Sequence, residues 1–162
     1  MPVAITTDYS GRTVDLESLQ TADGTVGVRE LSLSVRDNNL SRRITGIQKL
    51  AQRYATLFLT QKGSVGFSAG QGSDFIEPAT TGQIANGANL THFFNIANFQ
   101  TTRQMRLDDV DPAFGDTPPD DERIQTATLI DFEVDKFQGR IYLKVRLTSL
   151  AGDDYVYVLP AI

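Results

Sequence analysis

Apolar and polar residues alternate from Gly27 onward, with Leu31, Leu33 and Val35 set against Ser32, Ser34 and Arg36. A period of two predicts a half-buried strand, and Asp37-Asn38-Asn39 ends it. The spacing then changes. Leu40, Ile44, Ile47, Ala51, Tyr54 and Phe58 recur at intervals of four and three, reinforced by Leu50 and Leu57, and predict one helix over residues 40–59. Asn39 or Ser41 is placed to cap its start, and Lys62 and Gly63 to favour its end. Gly46 falls inside this helix, where a glycine costs about 1 kcal/mol relative to alanine. A close packing contact is expected there.

Residues 63–73 form a turn-rich connector containing Gly63, Gly66, Gly70 and Gly72. A short helix is expected from Ser73 or Asp74. Asn86-Gly87 marks a turn before a second main helix, carried by Leu90, Phe93, Phe94, Ala97 and Met105 and running to about Leu107. Pro112, Pro118 and Pro119 then keep the acidic stretch 108–122 from regular structure. Three alternating runs close the chain: Ile130, Phe132 and Val134; Ile141, Leu143, Val145 and Leu147; Tyr155, Tyr157 and Leu159, the last interleaved with Val156 and Val158. The short connections at Phe137-Gln138-Gly139 and 151–154 predict an antiparallel meander. The expected fold is therefore α+β, with an N-terminal strand, two main helices and a C-terminal three-stranded antiparallel meander. Residues 1–25 are expected to be an arm with little core of its own, and 26–162 a single domain.

Composition narrows the function. Among 162 residues, 15 Lys and Arg face 20 Asp and Glu for a net charge of -5, which disfavours phosphate-backbone binding, so nucleic acid is not an expected partner. The absence of cysteine removes disulfides, thiolate nucleophiles and thiolate metal sites. The N-terminus lacks a basic segment followed by a sustained apolar run, and no stretch approaches the roughly 20 apolar residues of a membrane helix. A chain made in the cytoplasm and left unprocessed, with no membrane partner, is the expectation.

The candidate chemistry is sparse. Gly66-Phe67-Ser68-Ala69-Gly70 matches the G-x-S-x-G nucleophile elbow, but His92 is the only histidine and lies 24 residues beyond Ser68. That interval leaves no room for the strands and helices that assemble a hydrolase triad. The glycines do not fit G-x-G-x-x-G or G-x-x-x-x-G-K-[ST], and one histidine cannot build a zinc site. Asp108, Asp109, Asp111, Asp116, Asp120, Asp121 and Glu122 offer oxygen ligands without EF-hand spacing. No catalytic residue, cofactor, metal or small-molecule substrate is assigned.

The order of segments carries a resemblance. Residues 44–53 (ITGIQKLAQR), then 57–64 (LFLTQKGS), then 70–75 (GQGSDF) resemble the sheath-initiator, or lysozyme-like baseplate wedge, family of contractile-tailed phages and contractile injection systems. The likeness in order and spacing covers about residues 28–160. Proteins of that family carry a Glu-Pro-Arg-Ile signature before their sheet, which helps lock the wedge core. Here the place reads Asp121-Glu122-Arg123-Ile124: Arg123 and Ile124 match, Asp121 is a shorter acid, and Glu122 replaces the proline. The locking role carries over most directly to Arg123.

The resemblance implies a noncatalytic virion subunit of the tail baseplate, assembled in the host cytoplasm. It would contact wedge and hub or tube proteins and take a strand from a tail sheath subunit. The final strand, Tyr155, Val156, Tyr157, Val158 and Leu159, is apolar on both faces and suits such pairing. Together with Asp121, Glu122 and Arg123 it makes up the expected interface. Deletion of residues 155–162 is expected to leave a soluble body unable to start sheath. Two alternatives stay open: a muralytic or esterase activity centred on Ser68 or the acidic loop, and a tail adaptor or completion protein elsewhere in the particle.

Overall fold

The computed structural model describes residues 14–16, 35–36, 40–41, 43–135 and 139–161. The fold is α+β. Four two-residue strands lead: β1 (Asp15–Leu16) pairs antiparallel with β4 (Arg43–Ile44), and β2 (Val35–Arg36) with β3 (Leu40–Ser41). Helices α1 (Gly46–Leu59), α2 (Ile76–Thr80) and α3 (Gly87–Asp108) follow. The chain ends in an antiparallel sheet of β5 (Ile124–Asp135), β6 (Arg140–Ser149) and β7 (Asp154–Pro160), in that spatial order. Of the expected N-terminal strand, only Val35–Arg36 falls among the described residues. Most of the expected arm lies outside them, but Asp15 is tied to the body, accepting from Gln52 Nε2 at 2.9 Å.

The first helix is shorter than its apolar spacing predicts. Leu40 and Ile44 fit the stripe, yet they stand in β3 and β4, because Gly46 takes φ 61°, a left-handed conformation that cannot sit mid-helix. Gly46 therefore begins α1, and the expected cap at Ser41 is replaced. Thr45, at the N-cap, makes no side-chain cap. Instead the buried Glu122 carboxylate, 76 residues away, accepts the Gly46 N–H at 3.1 Å. Lys49, one turn along, donates to the other carboxylate oxygen at 2.7 Å. The acid thus satisfies an orphan helix amide, sits at the positive end of the helix dipole and has its charge neutralised.

One core joins α1, α3 and the inner face of the sheet. Leu50, Tyr54 and Phe58 of α1 meet Leu90, Phe94, Ala97 and Met105 of α3 above Leu143, Val145, Leu147 and Leu159. Phe58 is central: its ring lies 5.0 Å from Phe75 and 5.5 Å from Phe94, with Tyr54 stacked at 5.7 Å. Arg53 fixes the helix pair by bonding Asp109 and the Met105 carbonyl, a cation at the negative end of α3.

The sheet begins earlier than the sequence suggests, at Ile124, and carries a register shift between Leu129 and Asp131. Ile130 is the extra residue, and a bulge of this kind reverses which parity faces inward. Ala127 and Leu129 therefore share their side of the sheet with Phe132 and Val134, paired with Leu147, Val145, Leu143 and Ile141. Ile130 drops out of the expected Ile130–Phe132–Val134 row. Phe132 rests against the start of α3, where a side chain at Gly87 would come within 2.7 Å of its ring.

Candidate functional site

The two edges of the sheet are treated differently. Along β5, α3 reaches over: Arg106 donates to the Gln125 carbonyl at 2.6 Å, and Asn98 to the Ala127 carbonyl at 2.9 Å. Asn98 is held in turn by the Tyr54 hydroxyl at 2.8 Å. These side chains occupy acceptors that an added strand would need, which is a recognised way of blunting an edge. Sequence inspection misses Asn98 and Arg106 in this role, because nothing local marks a polar residue on α3 as the partner of a carbonyl on β5.

Along β7, no described strand lies on the outer side. Ala161 N donates to the Ile141 carbonyl, and Ser149 N to the Asp153 carbonyl, so the odd-numbered residues of β7 face β6. Antiparallel alternation then turns the N–H and C=O groups of Asp154, Val156 and Val158 outward, together with the Pro160 carbonyl. Val156 and Val158 are exposed, whereas Tyr157 and Leu159 are buried and Tyr155 is half-buried. The edge is hydrophobic, five to seven residues long and anchored to the core by every second side chain.

The segment Asp120–Glu122, a 3₁₀ turn, sits between this sheet and α1. Its Asp120 carbonyl accepts from Ala151 N and the Arg123 carbonyl from Leu150 N, which fastens the turn between β6 and β7. Glu122 faces inward to Gly46 and Lys49, while Asp121 and Arg123 are half-buried and Arg123 bonds Asp120 at 3.3 Å. Glu122 thus ties the turn to α1, and the Arg123 main chain ties it to the β6–β7 connection.

No family model, curated protein or solved structure matches this chain. Any chemical role must therefore come from the residues themselves. Ser68 lies in an exposed loop that follows α1, not in a strand-to-helix turn, and among the described residues no hydrogen bond joins it to His92, which is on the outer face of α3. The loop is fastened at its base: Ser73 N donates to the Thr60 carbonyl at 2.8 Å and Ser73 Oγ to the Phe58 carbonyl at 2.6 Å. At its tip Phe67 is 96% exposed. Three acids at the end of α3 and just beyond it have structural uses: Asp109 pairs with Arg53, Asp108 accepts from Gln104, and Asp111 caps Ala113 N. Among the described residues no three or more His, Asp or Glu side chains gather as a metal site. No described helix is long and apolar enough to cross a membrane. A cleft of about 300 Å³ between α3 and β5 is lined by Phe94, Ala127, Leu129 and Phe132, with Asp131 as its one ionisable group.

Proposed function

We propose that this chain is a noncatalytic structural subunit of a contractile-tail baseplate. It joins wedge and hub or tube proteins to the sheath, and its sheet is extended at β7 by a strand from a sheath subunit, seeding the first sheath ring. The observation that supports this reading is the asymmetry of the sheet: two outward carbonyls at the start of β5 are taken by Arg106 and Asn98 of α3, and β7 turns the N–H and C=O groups of Asp154, Val156 and Val158 outward. Strand addition uses main-chain hydrogen bonds for affinity and alternate side chains for specificity. β7 offers both.

The burial of Tyr157 and Leu159 changes how this is tested. Removing residues 155–162 would strip core side chains and unfold the body, so the truncation expected from sequence cannot isolate the edge. Val158→Pro is cleaner. Its N–H points away from β6, so proline deletes one outward donor and leaves the internal ladder intact. Particles assembled with V158P should contain baseplates that carry this subunit but no polymerised sheath. Normal sheath on such baseplates overturns the proposal.

A further inference from the structure

Helix α3 and strand β5 meet at two points and part between them. At one, Asn98 donates to the Ala127 carbonyl; at the other, the Phe132 ring fills the space that Gly87 leaves by having no side chain. The cleft of about 300 Å³ lies between, with Phe94, Leu129 and Phe132 as apolar lining and the exposed Thr91, Asn95 and Asp131 as polar lining. Apolar walls with a few polar groups are the make-up of binding sites, and this volume, at the lower end of their range, suits one long side chain.

The main chain of β5 is open along this stretch. Ala161 N bonds the Ile141 carbonyl, so odd-numbered residues of β6 face β7 and even-numbered ones face β5. Leu129 is paired with Val145 and Phe132 with Leu143, both odd, so the main-chain groups of Leu129 and Phe132 point off the edge. The Phe132 N–H is taken by Asp131 Oδ1 at 2.9 Å, which holds that carboxylate over the edge, beside the cleft. The Leu129 N–H and C=O have no partner among the described residues.

The polar lining calls for a positively charged donor. Asp131 is its one ionisable group. Lys144 stands opposite on β6, but no ion pair joins the two among the described residues. Thr91 gives its hydroxyl proton to the Gly87 carbonyl at 2.9 Å, so its oxygen presents only lone pairs. With Oδ1 engaged, Asp131 has one open oxygen, which suits the point charge of an ammonium better than a two-pronged guanidinium. A lysine lays its methylene stem on apolar surface and keeps its head among polar groups.

We infer that the α3–β5 cleft is a binding site for a lysine side chain carried by an extended segment of a partner protein. The stem lies on Phe94 and Leu129, the ammonium meets Asp131, and the segment's backbone bonds the open N–H and C=O of Leu129. The cleft is on the opposite edge of the sheet from β7, so this site and the strand-addition reading stand or fall separately.

The test is a nuclear magnetic resonance titration of the full ¹⁵N-labelled chain with acetyl-Thr-Lys-Thr-amide, its norleucine and arginine analogues, and butylammonium. The lysine peptide should shift the amides of Asn95, Leu129 and Phe132 saturably and bind at least about threefold more tightly than the norleucine peptide, the scale of one exposed ion pair. The arginine peptide should bind no better than the lysine one, and butylammonium, which lacks the backbone, more weakly. Asp131→Asn keeps an oxygen for the Phe132 N–H and should make the lysine and norleucine peptides equal. No saturable shift at those amides, equal binding of lysine and norleucine, or a lysine preference that survives Asp131→Asn would each overturn the inference. Tighter binding of arginine would overturn the choice of lysine, and butylammonium as tight as the peptide would overturn the protein partner in favour of a free amine.

Discussion

The Tyr54 hydroxyl donates to Asn98, whereas the Tyr157 hydroxyl is buried with no hydrogen-bond partner among the described residues. Burial pushes the Tyr54 phenol well above its ordinary value. Burial does the same to Tyr157, with the neighbouring Tyr54 and Tyr155 adding to the shift. In the unfolded chain both ionise near pH 10, and in the folded chain both stay neutral to higher pH. Their contribution to stability is therefore complete below about pH 10 and is lost as pH rises beyond it, at roughly 1.4 kcal/mol per pH unit for each tyrosine. Urea midpoints measured between pH 9 and 11 should show that slope. Tyr157→Phe should lessen it by one proton and leave stability at pH 7 unchanged or raised, since no hydrogen bond is lost. Tyr54→Phe should cost about 1 kcal/mol or more at pH 7, because it leaves the Asn98 amide oxygen short of a donor. Glu122 gives a larger effect of the same kind. Glu122→Ala uncaps Gly46 and strands Lys49, with an expected loss of about 2–4 kcal/mol, moderated by the partial exposure of Lys49; equal stability to the parent would refute that account of the α1 start.

Elements were legible in the sequence to the extent that one local pattern decided them. The second main helix, the turn at Asn86 and the three meander strands follow from spacing alone, and Asn86 does cap α3 by accepting from Asn89 N. The start of α1 was not legible. Helical spacing runs through Leu40 and Ile44, and only a positive φ at Gly46 and a carboxylate from a distant turn decide otherwise. The bulge at Ile130 was hidden for a similar reason, since alternation is read on one strand and register is set by two. The glycine-rich loop divides into working and permissive glycines. At Gly72, φ is 100° and an added Cβ would come within 2.3 Å of the Thr60 carbonyl oxygen, whereas at Gly70 it would meet nothing within 4 Å. Gly72→Ala should therefore cost about 1–3 kcal/mol and loosen the loop base, with Gly70→Ala close to neutral; thermal denaturation of the two variants separates the cases.

For the whole molecule, the candidate site was legible as a place and not as a mechanism. Alternation singled out Tyr155–Leu159, but that β7 is an outer strand, and that β5 is shielded, depends on how α3 crosses the sheet. Shielding is itself testable. Asn98→Ala combined with Arg106→Ala frees the Gln125 and Ala127 carbonyls and should give concentration-dependent self-association through β5, seen by light scattering, with little loss of helix. Unaltered scattering would mean that backbone twist, and not these two side chains, protects that edge.

Pro160 gives the open edge a fixed end. It has no N–H, so among the described residues the outward donors of β7 are those of Asp154, Val156 and Val158. So short a ladder holds a single visitor briefly. On the proposed reading, a subunit arriving alone would come and go, and a lasting bond would need neighbours engaged at the same time. Linked contacts gain from effective concentration far more than any one of them supplies. A lone, misplaced sheath subunit would be released, and a complete ring retained.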